Sequence, residues 1–154
     1  MEDWLVVLSE DNWSICDREG LLGLGRDAER RLGRMSEGDR VWVYVNRKHV
    51  DHQVPRVQEL RAVARVTGPV RRLERSPWRP RGDQRFLFAR PITVERRCAL
   101  PAIELLKTMS FAGRPPAWGM RLLSAPVRLT ADDVAKFQAA LQGEPKAAAT
   151  TRSP

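Results

Sequence analysis

Two apolar segments, Trp4–Leu8 (WLVVL) and Arg40–Val45 (RVWVYV), are dense in β-branched and aromatic side chains. Such runs are typical of strands that are buried on both faces. A third segment, residues 60–67 (LRAVARVT), alternates apolar residues with Arg61 and Arg65. This period of two is the pattern of a half-buried strand. The three segments therefore predict strands of a β-sheet.

Two other segments carry helical signals. Thr130 and Asp133 form a capping box, and apolar residues follow at helical spacing as far as Leu141. Residues 27–35 can form a second, shorter helix. Strands and helices do not alternate regularly, which argues against a doubly wound nucleotide-binding fold. We predict an α+β domain, with a mostly antiparallel, curved sheet or small barrel of about five or six strands and about two or three flanking helices.

The segments between these elements are predicted from their turn-forming residues. Residues 9–12 (SEDN) indicate a polar turn, and the glycines of residues 20–25 (GLLGLG) indicate a flexible loop. The G-x-x-G-x-G spacing differs from the dinucleotide fingerprint G-x-G-x-x-G. Residues 118–123 predict a last strand. We predict one domain over residues 1–143 and a disordered tail over residues 144–154.

The charge of the chain is strongly basic. Its 154 residues carry a net charge of +8, with 27 Lys and Arg against 19 Asp and Glu. Arg supplies 23 of those cations. Because Arg makes bidentate contacts to phosphate and stacks on bases, the composition favours nucleic acid as a partner. A GC-rich genome that encodes Arg in place of Lys explains the same composition, and this alternative stays open.

Residues that carry catalysis or bind metals are scarce. His49 and His52 are the two histidines and lie in a polar segment, which favours a solvated loop over a metal site. Cys16 and Cys98 are far apart in sequence and predict two reduced, buried thiols. No Ser or Cys lies in a nucleophile motif. We predict a protein that is not an enzyme and that has no metal or other cofactor.

The hydrophobic pattern gives no sign of a membrane protein. No stretch approaches the roughly 18 consecutive apolar residues that a spanning helix needs. The N-terminal residues Met1–Trp4 are acidic, unlike the basic start of a secretory signal. We therefore predict a cytoplasmic protein without membrane contact.

Tryptophan is the most informative residue type, with five Trp against one Tyr and four Phe. Trp4 and Trp42 lie within apolar runs, so we expect both in the core. Trp13, Trp78 and Trp118 lie in or beside polar segments that contain Gly or Pro. Three such indoles can form a stacking cage for a flipped base or a small aromatic ligand. The alternative, in which each indole packs against the rim of the core, stays open.

Four motifs, in order along the chain, resemble those of EVE domains. The first is WLVVLSEDNW at residues 4–13, and the second is SEGDRVWVYV at residues 36–45. The third is SPW at residues 76–78. The fourth combines MSFAGRPPAWGMRL at residues 109–122 with LTADD at residues 129–133. Together they extend the resemblance over nearly the whole predicted domain.

The resemblance implies a PUA-like pseudo-barrel, in the superfamily that also contains YTH and ASCH domains. EVE domains are thought to read modified bases in DNA or RNA, such as 5-methylcytosine and 5-hydroxymethylcytosine. They occur alone or fused to restriction nucleases. The resemblance thus implies a reader that flips a modified base into an aromatic cage, with nucleic acid as its partner and a nuclease as a candidate functional partner.

Carried onto this sequence, the resemblance implies a base pocket surrounded by phosphate contacts. The pocket would be lined by Ser9, Asn12, Trp13, Leu22, Gly23, Leu24, Trp78 and Trp118. The phosphates would be held by Arg26, Arg30, Arg31, Arg79 and Arg81. Ser9 and Asn12 would form hydrogen bonds with the base edge, because an amide can donate and accept at once.

Two other functions stay open at this point. An ASCH-like hydrolase acting on modified nucleosides needs an acid–base residue, and the sequence offers Glu10, Asp11, Lys48 and Lys107 without a diagnostic motif. A small-molecule or protein-interaction module would make the basic surface incidental. The choice between DNA and RNA, the identity of the modification and the oligomeric state are also open.

Overall fold

Seven strands and four α-helices make up the part of the chain that the computed structural model describes, residues 1–113 and 120–144. In chain order they are β1 (Asp3–Ser9), α1 (Glu10–Glu19), β2 (Leu21–Leu24), α2 (Ala28–Leu32), β3 (Arg40–Arg47), β4 (Arg56–Val66), β5 (Arg71–Arg72), β6 (Phe88–Pro101), α3 (Ile103–Leu106), β7 (Val127–Arg128) and α4 (Ala131–Gln142). A 3-10 helix, Met120–Ser124, precedes β7. Within these residues, no helix is both long enough and apolar enough to cross a membrane.

The strands form one curled sheet in the order β2-β6-β4-β3-β1-β7, with β5 paired to β6. β1 and β3 run parallel, whereas the other strand pairs of the described residues are antiparallel. The predicted α+β class and curved, mostly antiparallel sheet are therefore confirmed. Strands and helices are more numerous than predicted because several are very short: β5 and β7 have two residues each, and α3 has four.

The central strands are apolar on both faces because each face covers a separate core. Val41 and Val43 of β3 lie in a first core, together with buried residues of α1 and α2. Trp42 and Tyr44 lie in a second core, together with buried residues of α3 and α4. Trp42 stacks on Phe137 of α4 with ring centroids 5.2 Å apart. This double burial explains the continuous apolar runs in the sequence.

Two segments that we predicted as a turn and a loop are regular elements. Ser9 is the N-cap of α1, and its Oγ accepts a hydrogen bond from the backbone N–H of Asn12 at 3.4 Å. Trp13 and Cys16, three positions apart, give α1 a buried face that its polar neighbours conceal in the sequence. Residues 21–24 form β2, which pairs with β6, so the glycine-rich stretch is a strand.

The C-terminal part also differs from prediction. Residues 120–124, which overlap the predicted last strand, form the 3-10 helix. Residues 114–119, which include Trp118, lie outside the described residues, as does the predicted tail beyond Glu144. The capping box at the start of α4 is confirmed.

A buried carboxylate, Asp39, ties the chain before β1 to the turn before β3. It accepts hydrogen bonds from the backbone N–H groups of Glu2 and Ser36 at 3.0 and 2.7 Å. The indole Nε1 of Trp4 donates a third at 2.9 Å. Burial disfavours the charged carboxylate, but the hydrogen bonds outweigh burial and lower the pKa of Asp39. Asp39 thus holds the two strands together where their parallel pairing begins.

We expect Asp39→Asn to lower the free energy of unfolding by about 2 kcal/mol at neutral pH, because an amide cannot accept from all three donors. The folded chain keeps the pKa of Asp39 below its unfolded value of about 3.9. This contribution to stability is therefore present above that value and is lost as the pH falls through the folded pKa.

Urea unfolding over the acidic range measures this contribution, and stability should depend less on pH in Asp39→Asn than in wild type. Asp132, whose side chain is 81% exposed, provides the matched control. Asp132→Asn should retain the wild-type dependence. Equal behaviour of the two variants would show that Asp39 is not the anchor.

Candidate functional site

A cavity of about 800 Å³ opens where β1 and β3 end, a size typical of small-ligand sites. Strand ends, two loops and the 3-10 helix contribute to its wall. The lining residues are Val7, Leu8, Ser9, Asn12, Leu24, Gly25, Arg26, Arg31, Asn46, Arg47, Val50, Gln53, Arg81, Gly82, Asp83, Gln84, Phe86, Leu122 and Leu123. The cavity therefore combines aliphatic side chains, one aromatic ring, amides, one carboxylate and several guanidinium groups.

A β-bulge brings two consecutive polar side chains to this cavity. Leu8 of β1 pairs with Val45 and Ser9 pairs with Arg47, so Asn46 is skipped in the ladder. Consecutive residues of a regular strand point to opposite faces, but a bulge interrupts that alternation. Asn46 and Arg47 consequently both line the cavity.

Both of these side chains have unused hydrogen-bonding capacity. The Oδ1 of Asn46 and the Nε of Arg47 are buried and have no hydrogen-bond partner among the described residues. Buried polar atoms are nearly always paired in folded proteins, because leaving them unpaired costs free energy. Both residues line the cavity, so these unpaired atoms lie beside the space that a ligand would fill.

Another part of the wall belongs to residues 73–86, which Trp78 holds against the first core. The Trp78 indole is 4% exposed, and its Nε1 donates a hydrogen bond to the Sγ of Cys16 at 3.2 Å. Gly23 makes room for the indole, since a Cβ there would lie 2.7 Å from three of its ring atoms. The rings of Trp78 and Phe86 are 6.4 Å apart, so the buried indole supports the ring that lines the cavity.

The side-chain amide of Asn12 holds the same segment a second time. Its Oδ1 accepts from the backbone N–H of Arg79 at 2.8 Å, and its Nδ2 donates to the Arg79 carbonyl at 3.0 Å. A tight turn follows, in which Arg81 and Gln84 exchange backbone hydrogen bonds of 3.1 and 3.0 Å. This turn places Arg81 in the cavity wall.

The predicted pocket residues fall into three groups. Those that line the cavity are Ser9, Asn12 and Leu24. Those that lie in the interior instead are Trp13, Leu22, Gly23 and Trp78. Trp118 lies outside the described residues. No indole of the described residues lines the cavity, because helix α1 turns Trp13 inward and Gly23 admits Trp78 to the core.

Ser9 and Asn12 are also engaged within the chain. The Ser9 hydroxyl donates to a carboxylate oxygen of Asp11 while it caps α1. Asn12 uses its amide oxygen and nitrogen on Arg79. The structure thus gives both residues a positioning role that the sequence did not indicate.

The predicted phosphate-contacting arginines have different surroundings. Arg26 and Arg81 are exposed residues that line the cavity. Arg30 and Arg79 are exposed outside it. All four residues are therefore exposed to solvent and accessible to a polyanion.

Arg31 differs from these four because it is committed to the backbone. Its Nε donates to the Ala125 carbonyl at 2.5 Å and its Nη1 to the Arg26 carbonyl at 2.8 Å. Burial lowers the pKa of Arg31, and the nearby Arg34 adds to the effect. Arg34 in turn donates to the Ser124 carbonyl at 2.6 Å. Both arginines hold the 3-10 helix beside the cavity, which Arg31 also lines, and its phosphate contact stays a prediction.

Asn46, Arg47 and Phe86 are residues of the site that sequence reasoning missed. The first two carried a signal, because they are polar residues directly after the apolar run RVWVYV. Phe86 carried none, because it lies at the end of an arginine-rich segment. Its place in the wall depends on how the Trp78 segment folds back.

The titratable groups of the described residues form no cluster of three or more His, Cys, Asp or Glu that could hold a metal ion. The rings of His49 and His52 are 5.8 Å apart, edge to face. Cys16 and Cys98 are buried and unpaired, as predicted. Burial raises the pKa of each thiol to about 12, so both are protonated at neutral pH.

No protein-family model matches the chain, and no curated protein matches it in sequence. Solved structures do share its fold. The YTH domain of Mmi1 in a complex with RNA has a TM-score of 0.62 at 10% identity, covering 98% of this chain and 84% of that one. The YTH domain of Zygosaccharomyces rouxii MRB1 with N6-methyladenosine RNA has a TM-score of 0.56 at 10% identity, covering 94% and 88%.

A hypothetical protein from Leishmania major has a TM-score of 0.56 at 16% identity, covering 90% of this chain and 93% of that one. Likenesses at these identities establish the fold. The chain is therefore an α+β domain with the fold of YTH domains, consistent with the predicted PUA-like architecture. Its resemblance to EVE domains rests on the sequence motifs.

We expect Trp78→Ala to lower the free energy of unfolding by about 3–5 kcal/mol, as deletion of a buried aromatic side chain does. An indole at the surface would leave stability unchanged. Trp78→Phe keeps a ring but loses the hydrogen bond to Cys16, so its loss should be smaller. Urea denaturation measures both variants. A wild-type midpoint for Trp78→Ala would place the indole outside the core.

Proposed function

We propose that this chain is a nucleic-acid-binding module that recognises a modified base flipped into the cavity. The observation that carries the proposal is the composition of the wall, where an aromatic ring, an unpaired amide oxygen and several arginines meet. Candidate bases are 5-methylcytosine or 5-hydroxymethylcytosine in DNA, and a modified base in RNA. The sequence resemblance to EVE domains supports the same class of function.

The solved structures with this fold add support of a general kind. One is a YTH domain in a complex with RNA, and another is a YTH domain with N6-methyladenosine RNA. This adds N6-methyladenine in RNA to the candidate bases. Identities of 10% carry over the fold alone, so the chemistry of recognition depends on the residues of this chain's own cavity.

The wall offers a separate contact for each part of a flipped base. The Phe86 ring and aliphatic side chains such as Leu24 and Val50 suit the face of the base and an added methyl group. The free Oδ1 of Asn46 is an acceptor for an exocyclic amino group. In this proposal Phe86 takes the stacking role first given to three indoles, with Trp78 behind it. Trp118 stays a candidate for the same cage on sequence grounds.

The free-energy cost of flipping a base and the gain from its contacts in the cavity are of similar size, so the contribution of one added group is decisive. Flipping a base out of a stack costs a few kcal/mol. Stacking on an aromatic ring returns about 1–3 kcal/mol, and a buried methyl group about 1 kcal/mol more. Arginines outside the cavity add affinity for the phosphates without reading the base. The modified base then decides whether the flipped state is populated.

The proposal is one of binding without turnover, so the nucleic acid is released unchanged. A cytoplasmic location and a nuclease as functional partner belong to the proposal on sequence grounds alone. Appearance of a hydrolysed product during incubation with free modified nucleosides would favour the alternative of an ASCH-like hydrolase.

The first test is a tryptophan-fluorescence titration with short oligonucleotides of one sequence. They carry cytosine, 5-methylcytosine, 5-hydroxymethylcytosine, adenine or N6-methyladenine, each as DNA and as RNA. One modified strand should bind about fivefold more tightly than its unmodified counterpart, since the buried methyl group contributes about 1 kcal/mol. Equal binding of all strands would leave only a nonspecific basic protein.

We expect Asn46→Ala to weaken binding of the preferred modified strand by about fivefold or more while stability is retained, because the Asn46 amide oxygen is the proposed acceptor for the base and has no partner in the described chain. Gln138→Ala, which removes an exposed amide from α4, is the matched control and should bind like wild type. Unchanged affinity in Asn46→Ala would remove Asn46 from the base contact.

The double variant Arg30→Ala with Arg79→Ala tests the outer phosphate contacts. Binding to modified and unmodified strands should weaken alike. The plot of log affinity against log salt should become less steep, by about 1–2 in the magnitude of its slope. Arg18 and Arg128, with side chains 68% and 67% exposed, supply a control double variant of equal charge. A loss confined to the modified strand would contradict phosphate contact.

A further inference from the structure

Arg47 is a half-buried residue of the cavity wall, and part of its guanidinium group has no partner. It follows the bulged Asn46, and its Nε is buried and without a hydrogen-bond partner in the described part of the chain. Removing part of a cation from water costs free energy unless an anion or acceptors compensate for the lost hydration. An anion in the cavity would supply that compensation.

Three carboxylates lie near Arg47 or line its cavity, but none forms an ion pair with it. Asp11 accepts three hydrogen bonds from other groups of the chain. Asp51 lies 3.7 Å from the imidazole of His52, and Asp83 lines the cavity together with Arg47. The described residues therefore supply no carboxylate within 4.0 Å of the Arg47 guanidinium.

A second cation makes the need for an anion stronger. Arg81 lines the same cavity, carried there by the turn that follows the Asn12–Arg79 contact. Burial lowers the pKa of Arg47, and repulsion from Arg81 lowers it further, against attraction from Asp11 and Asp51. Two guanidinium groups that repel each other across a cavity are stabilised by an anion that contacts both.

We infer that Arg47 and Arg81 form an inner anion site that holds the phosphate of the flipped nucleotide. The cavity then takes a nucleoside monophosphate unit, with the base toward Phe86 and Asn46 and the phosphate toward the two arginines. Its volume of about 800 Å³ is ample for such a unit. This inference rests on the proposed function and names the ligand unit of the same cavity.

The inner site and the outer arginines differ in which ligands can contact them. Arg30 and Arg79 lie outside the cavity and can contact any strand. Arg47 is reached only when a nucleotide enters the cavity. It therefore links recognition of the base to a phosphate contact, and it should act on free nucleotides as well as on strands.

The test is calorimetric titration of the full chain with N6-methyladenosine and 5-methylcytidine, each compared with its own 5′- and 3′-monophosphate. At least one monophosphate should bind about tenfold or more tightly than its nucleoside, as expected for a charge-assisted bidentate contact. Arg47→Ala should abolish that advantage. Arg47→Lys, which keeps the charge but loses the planar fork, should retain part of it.

Arg18→Ala removes an exposed arginine remote from the cavity lining and should keep the full advantage. Circular dichroism confirms that each variant is folded, and Arg47→Lys carries the test if Arg47→Ala is not. Monophosphates that bind no better than nucleosides, or do not bind at millimolar concentration, would overturn the inner site. So would an advantage that persists in Arg47→Ala.

The experiments distinguish a failure of the reader function from a failure of the inner phosphate site. If oligonucleotides are discriminated by modification but monophosphates gain nothing over nucleosides, the reader function stands and the inner phosphate site is wrong. If monophosphates bind through Arg47 but no strand is discriminated, the inner site stands and the cavity serves free nucleotides instead.

Discussion

The burial of Trp78 is the constraint on which the site depends. Its segment carries many arginines, which repel one another and favour solvent, so it needs a strong attachment to lie against the domain. The indole provides that attachment by filling the space left by Gly23 and by donating to Cys16. Asn12 completes it through the Arg79 backbone. Phe86 and Arg81 reach the cavity only because this segment is held in place.

The second constraint is the way in which the sheet ends at the cavity. Parallel pairing of β1 with β3 brings Ser9 beside Arg47, and the bulge at Asn46 turns two neighbouring polar side chains to one side. The same strands are apolar on both faces further back, where they separate two cores. The rigid sheet therefore ends at a polar edge where two side-chain atoms have no hydrogen-bond partner among the described residues. Such an edge is a suitable place to hold a ligand in a fixed orientation.

The features predicted correctly are those with a local cause. The strands at WLVVL and RVWVYV follow from β-branched, doubly buried runs, and the start of α4 follows from the Thr130–Asp133 capping box. Helix α1 and the positions of Trp13 and Trp78 were missed because tertiary packing determines them. The two buried apolar residues of α1 lie among polar neighbours, and the loop residue Trp78 enters the core only because the distant Gly23 leaves space for it. Asn46 was missed because a bulge is set by pairing with two other strands.

Amide NMR spectra show whether a modified base enters this cavity. The protein is saturated in turn with a strand carrying the modified base and with the same strand unmodified, and the two spectra are compared. The differences should lie in residues 24–26, 46–53 and 81–86, while Arg30 and Arg79 shift equally in both. Differences confined to the surface outside the cavity, or two identical spectra at saturation, would contradict entry of the base into the cavity.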